Sequence, residues 1–168
     1  TCRRTGFAPQ ILHCNDWHTA FGPLLLDAEY AQDPLFSGTR SVLTIHNIGY
    51  QGIFDARQVA DLGLADPHWL HQDDLRAGIV NALKHGILYA HAVTTVSPTY
   101  AREICTAEYG MGLEQVLRAR GSAVAGILNG VDYDEWDPRR DRYLPIRYDE
   151  SSLGAKAELK RTFLARQG

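Results

Sequence analysis

The stretch Val42-Leu43-Thr44-Ile45-His46-Asn47-Ile48-Gly49-Tyr50-Gln51-Gly52 constrains the fold more than any other. An apolar, β-branched run stops abruptly at a histidine, and a polar, glycine-punctuated, aromatic segment follows. Such a run reads as a buried strand. In an open α/β sheet, ligands sit outside the carboxyl ends of the strands, and this histidine falls at such an end. Two other segments repeat the plan. Gln10-Ile11-Leu12-His13-Cys14 reads as a short strand, and Asn15-Asp16-Trp17-His18 follows it. Ala123 to Leu128 reads as another, followed by Asn129-Gly130-Val131-Asp132.

Helical patterns separate these strands. Thr19 to Tyr30 is apolar and helix-like, with Asn15 or Asp16 as its cap. Phe54 to Gly63 suggests a short helix capped by Asp55. Ile79 to Ala90 has helical spacing, with Ile79, Leu83, Ile87 and Ala90 on one face; Gly78 and Gly86 weaken it. Val93 to Val96 is a short β-branched strand, and Ser97-Pro98 opens a helix through Cys105 with serine as cap and proline at the first position. Ser151 to Arg166 reads as an amphipathic helix. Pro67 to Arg76 and Pro138 to Tyr148 read as irregular, with Trp69 and Leu70 as packing anchors in the first. Alternating strands and helices predict an α/β protein, with a Rossmann-like parallel sheet and helices on both faces. That topology brings Asp16, His46 and Asn129 to one edge of the sheet.

Charge and composition exclude several classes. A formal net charge of −3 leaves no basic excess to neutralise phosphates, so no nucleic acid partner is expected. Arg139, Arg140 and Arg142 are interrupted by Asp137 and Asp141 and read as a solvated surface. Cys2, Cys14 and Cys105 are widely spaced and predict reduced thiols in a cytoplasmic protein. No apolar run approaches the ~18 residues that span a bilayer, so no membrane association is expected. His68 and His71 stand three apart without a third ligand at convincing spacing, so the histidines read as surface groups and no metal is expected. No phosphate-loop or dinucleotide fingerprint is present, and no cofactor is expected.

Each candidate site residue has a plain reading beside its functional one. His46 is a histidine bonded to backbone at a strand end, or a group facing a substrate. Asp16 is a helix cap, or a carboxylate that serves chemistry at the strand end. Trp17 is core, or a flat apolar face for a ligand. Tyr50 and Gln51 pack, or shape access to a site. Asn129-Gly130 is a turn, or part of a ligand site.

Five segments together resemble a known family. They are HCNDWHTAFGPLLL from His13, TIHNIGYQGIF from Thr44, AVTTVSPTYAREI from Ala92, EYGMGLEQVLRARG from Glu108 and GILNGVDYDEWDP from Gly126. In this order, spanning Gln10 to about Gly168, they resemble the amino-terminal domain of bacterial glycogen synthases, also called starch synthases, which are retaining GT-B glycosyltransferases. The resemblance implies a partial amino-terminal GT-B domain over 1–168, without the family's lysine-glycine-glycine motif and without its carboxy-terminal nucleotide-binding domain. It implies transfer of glucose from ADP-glucose to the non-reducing end of an α-1,4-glucan, with retention, by double displacement or front-face attack; with no carboxylate clearly placed as a nucleophile, the front-face route is favoured. His46 and Asp16 would be catalytic. Asn47, Trp17, Tyr50, Gln51, Asn129 and Gly130 would bind substrate. Another GT-B transferase of sucrose or trehalose type, or a glucan-binding module without catalysis, is the alternative. By itself the segment is expected to be inactive and to fold poorly. Lacking the family's first strand, it would expose unpaired edges such as Val42 to Ile45.

Overall fold

The computed structural model describes residues 1–121 and 124–168, which fall into two compact units, Thr1–Leu128 and Asn129–Gly168. In chain order the first unit comprises α1 (Cys2–Thr5), β1 (Ile11–Asn15), α2 (Asp16–Thr19), α3 (Phe21–Glu29), β2 (Arg40–Ile45), β3 (Ile53–Asp55), α4 (Gln72–Arg76), β4 (Ile79–Asn81), α5 (Ala82–Tyr89), β5 (Ala92–Thr95), α6 (Pro98–Glu103), α7 (Glu114–Ala119) and β6 (Val124–Gly126). Short 3₁₀ helices occupy Ala56–Leu62 and Pro67–Trp69.

Four strands form a parallel sheet in the order β1-β2-β5-β6. The fold is α/β, as the alternation predicts. Strand β2 pairs with β1 on one side and with β5 on the other. The expectation that Val42 to Ile45 would be an unpaired edge is therefore corrected: this run is interior, and the sheet is continuous. The physical reason is local. Each helical crossover returns the next apolar run beside the last, so the present strands satisfy one another's backbone groups. The expected start of the last strand at Ala123 lies outside the described residues.

Side chains alternate across the sheet. Leu43, Ile45 and Val93 are buried on one face among Leu83 and Ile87 of α5. Fully burying each such side chain contributes roughly 1.5–3 kcal/mol. The opposite face carries a hydrogen-bonded row. His13 Nε2 lies 2.7 Å from Thr44 Oγ1, and Thr44 Oγ1 lies 2.7 Å from Thr94 Oγ1. A second apolar cluster gathers Leu24, Leu70 and Val80, with Trp69 packed against it, so Trp69 and Leu70 are packing anchors as expected.

Several boundaries differ from the sequence reading. The helix expected from Thr19 to Tyr30 is two pieces meeting at Ala20. Pro23 has no N–H to give the Thr19 carbonyl, so a continuous helix cannot run through this point. The helix expected over Ile79 to Ala90 begins only at Ala82. Ile79–Asn81 is instead strand β4, antiparallel to β3, with Phe54 opposite Val80. Gly78 at φ 78° turns the chain into this strand, and Asn81 then caps α5 by accepting from the Lys84 N–H at 3.0 Å. Gly86 serves packing: a Cβ there would stand 2.8 Å from Ala20 Cβ, so its absence lets α5 approach that turn. Phe54 to Gly63 is mostly a 3₁₀ helix, and Asp55 does cap it, accepting from the Arg57 N–H. The segment expected to be irregular after Pro67 contains α4. Ser97 caps α6 by accepting from the Tyr100 N–H at 2.9 Å, with Pro98 at the first position, as the sequence predicts.

In the second unit, Asp137 organises the turns expected between Pro138 and Tyr148. It is 4% exposed and accepts from Arg139 and Arg140. These pairings, first among them the Arg139 side-chain bond, bring its carboxyl down to about 2. The helix α8 (Gly154–Gln167) begins three residues later than expected. None of its residues is buried, and Phe163 and Leu164 are exposed.

Candidate active site

The carboxyl ends of β1 and β2 are joined by side chains. Asp16 follows β1 directly, at φ 51°. Its Oδ1 accepts from the His46 backbone N–H at 2.8 Å and from the Asn47 N–H at 3.4 Å. Asp16 is therefore not the cap of the following helix, which corrects the capping reading. The cap position is Asn15, and it makes no side-chain capping bond. Thr19 serves the turn instead: its hydroxyl accepts from the Asn15 N–H at 2.7 Å and donates to the Asn15 carbonyl at 2.9 Å. Left-handed backbone at Asp16 aims the carboxylate across the sheet rather than along its own helix.

The His46 ring is held by the same turn. Its Nε2 lies 3.0 Å from Asn15 Oδ1, an oxygen that only accepts, so the imidazole carries a proton on Nε2. His46 and Asn47 are exposed, and Asp16 is half-buried. Asn47 Oδ1 accepts from the Gly49 N–H at 2.9 Å, closing a tight turn. The following Ile48 N–H donates to the Tyr100 hydroxyl at 3.1 Å, which ties this loop to α6.

Beside this turn lies an open cavity of about 520 Å³, lined by Trp17, Gly49, Tyr50, Gln51, Gly52, Ile53, Phe54 and Met111. Trp17 is half-buried and stacks on His18, ring centroids 4.0 Å apart. Gly52 sits at φ 61° against the indole: a Cβ there would come within 2.3 Å of Trp17 Cε3. Tyr50 is 67% exposed. Among the described residues, Asp16 and Met111 are the two non-glycine positions with positive φ, and both belong to this region. Such backbone persists only where its surroundings hold it, and it gathers at functional sites.

The structure thus brings Asp16, Trp17, His46, Asn47, Tyr50 and Gln51 into one region of the first unit. Asn129 and Gly130 are exposed residues at the start of the second unit. Sequence reasoning missed the residues that hold the site: Asn15 on the His46 ring, Tyr100 on the loop, and Asn81, whose NH₂ donates to Gln51 Oε1 at 2.6 Å. Asn15 had a signal, its place beside Asp16 at a strand end. Asn81 had none, because it falls inside a helical pattern. His71 is half-buried, not a surface histidine: it caps α4, and its N–H donates to His85 Nε2 at 2.9 Å. His68 is exposed and pairs with Asp66.

The starch synthase catalytic domain family matches residues 1–119. The chain is 50% identical over 161 residues to glycogen synthase of Koribacter versatilis, covering 95% of this chain and 33% of the relative. It is 47% identical over 155 residues to glycogen synthase of an Anaeromyxobacter species, covering 92% and 33%. The chain thus spans about a third of the length of the curated relatives it matches. A similar solved structure is the catalytic domain of starch synthase IV from Arabidopsis thaliana bound to ADP and acarbose, at TM-score 0.75 and 38% identity, covering 98% of this chain and 34% of that one. Matched over most of its length by the family and by these relatives, the chain belongs to the starch synthase catalytic domain family.

Proposed function

We propose that this chain supplies the amino-terminal wall of a glycogen synthase active site. The reaction is transfer of glucose from ADP-glucose to the non-reducing end of an α-1,4-glucan, with retention of configuration. The observation that carries this reading is the Asp16–His46 turn: a carboxylate and an oriented imidazole, joined across two strand ends, beside an aromatic cavity. A relative solved with ADP and acarbose supports a nucleotide-linked sugar and a glucan as ligands here.

The bond between the glucosyl anomeric carbon and the diphosphate oxygen breaks, and its electron pair leaves with ADP. The acceptor hydroxyl forms the new bond on the same face, and its proton passes to the departing phosphate oxygen. Positive charge gathers on the sugar ring in between. The His46 imidazole stabilises that charge, and Asp16 holds the His46 backbone in register while its carboxylate adds a favourable field. Asn47 donates to a donor hydroxyl through its free NH₂. Trp17, Tyr50 and Gln51 receive the acceptor, aromatic faces against sugar C–H surfaces. The resemblance assigns donor contacts to Asn129 and Gly130 as well. Neutralising the diphosphate falls to protein beyond this segment, in a second, nucleotide-binding domain.

The test is a chimera in which this segment replaces the matching third of the Koribacter versatilis relative. Radiolabelled glucose should pass from ADP-glucose to glycogen, and His46→Ala should lower kcat far more than it raises the donor KM. A folded His46→Ala chimera with near-normal kcat would return His46 to a structural role.

A further inference from the structure

Gln51 sits between two groups whose hydrogen-bonding sense is fixed. The Met111 carbonyl can only accept, so Gln51 presents its NH₂ to it, at 2.9 Å. Gln51 Oε1 then needs a donor and finds the Asn81 NH₂ at 2.6 Å. Asn81 has its own orientation set, because its Oδ1 accepts from the Lys84 backbone N–H at 3.0 Å, and that group can only donate. The bonds therefore run one way, from the first turn of α5 to Met111, and neither amide can flip without losing two of them. Asn81 is 5% exposed, so water does not compete for its NH₂. Main chain reinforces the same joint: the Ala82 and Leu83 N–H groups donate to the Gly52 and Gln51 carbonyls, each at 3.0 Å. Met111, by contrast, is 61% exposed and held at φ 50°. The described residues give its carbonyl no other hydrogen bond.

Met111, Gln51, Tyr50 and Trp17 line one cavity, whereas Asn81 does not line it. We propose that Asn81 is a positioning residue for that cavity: acting through Gln51, it holds the Met111 wall in place, and the space so shaped takes one pyranose ring of a glucan. The ligand class rests on the acceptor reading given above. Aromatic faces, an exposed thioether chain and one oriented amide suit a ring with apolar C–H faces and equatorial hydroxyls.

Two substitutions in the intact protein test this. Asn81→Asp keeps the oxygen that caps α5 and is an equally good cap, but it turns an oxygen instead of an NH₂ toward Gln51. Gln51→Glu leaves Asn81 alone and sets an acceptor against the Met111 carbonyl; lying on a loop, it keeps the test open if Asn81→Asp does not fold. Both should weaken maltopentaose binding about tenfold by calorimetry. The melting temperature of Asn81→Asp should fall, because a buried oxygen then faces Gln51 Oε1 without a donor between them, and its Gln51 side-chain amide protons should lose protection against exchange. Unchanged affinity in both variants, or an unchanged Gln51 amide signal in Asn81→Asp, sinks the role of Asn81. Absence of maltopentaose binding by the unsubstituted protein sinks the glucan assignment instead, separately from the amide signal.

Discussion

The Asp16 carboxylate accepts the His46 backbone N–H at 2.8 Å, a bond that crosses from the end of β1 to the end of β2. It links the two residues that strand-end placement singled out, and it does so through main chain on one side and side chain on the other. Removing the charge and removing the bond are therefore different experiments. Asp16→Asn keeps an acceptor oxygen, so stability should change little, while transfer by the chimera should fall on the order of a hundredfold. Asp16→Ala should cost stability as well, roughly 1–3 kcal/mol, because the His46 N–H loses its partner. Urea unfolding alongside the transfer assay separates the two. Full activity in Asp16→Asn would leave Asp16 as a strut only.

Gly52 offers a second check. Alanine there would meet Trp17 Cε3 at 2.3 Å and would also have to adopt φ 61°. Gly52→Ala should destabilise the chain by roughly 1–3 kcal/mol and shift the tryptophan fluorescence as the indole is pushed aside. Thermal unfolding together with the emission spectrum reads both effects.

His85 makes stability depend on pH. It is fully buried, its Nδ1–H donates to the Asn81 carbonyl at 2.7 Å, and its Nε2 accepts from the His71 N–H. Both ring nitrogens are used in the neutral form, and burial pushes its pKa below the ordinary 6.5. The unfolded chain thus takes up a proton near pH 6.5 that the folded chain refuses. This contribution is complete above that pH and is lost as pH falls below it. Denaturant midpoints measured from about pH 8 to about pH 5 should fall on the acid side. His85→Gln should flatten that slope.

Asp137 behaves similarly at lower pH. Arg139 and Arg140 hold its carboxyl at about 2, against an ordinary 3.8. Its contribution to the second unit is therefore present above 3.8 and fades as pH falls toward about 2. Amide exchange across 132–149 should show the turns opening over that interval. In Asp137→Asn they should open already at neutral pH.

The sequence by itself determined the class of fold and the places where chemistry could sit. Apolar β-branched runs broken by polar, glycine-containing clusters admit little besides strands ending at a rim, and five ordered segments identified the family. Helix caps with a local cause were legible too, as at Ser97 and Asp55. What the sequence left open depended on partners far along the chain. Ile79 and Val80 satisfy a helical spacing equally well, and only pairing with Ile53–Asp55 made them a strand. Asp16 stands where a cap would stand, and only the arrival of β2 beside β1 gave its carboxylate the His46 N–H instead. Asn81 and Met111 are thirty residues apart in sequence, and Gln51 lies between them only in space. Local pattern selects elements because periodicity and capping act over a few residues. Tertiary structure decides the hydrogen-bond partners of buried polar groups, because each must find its donor or acceptor wherever the fold brings one within reach.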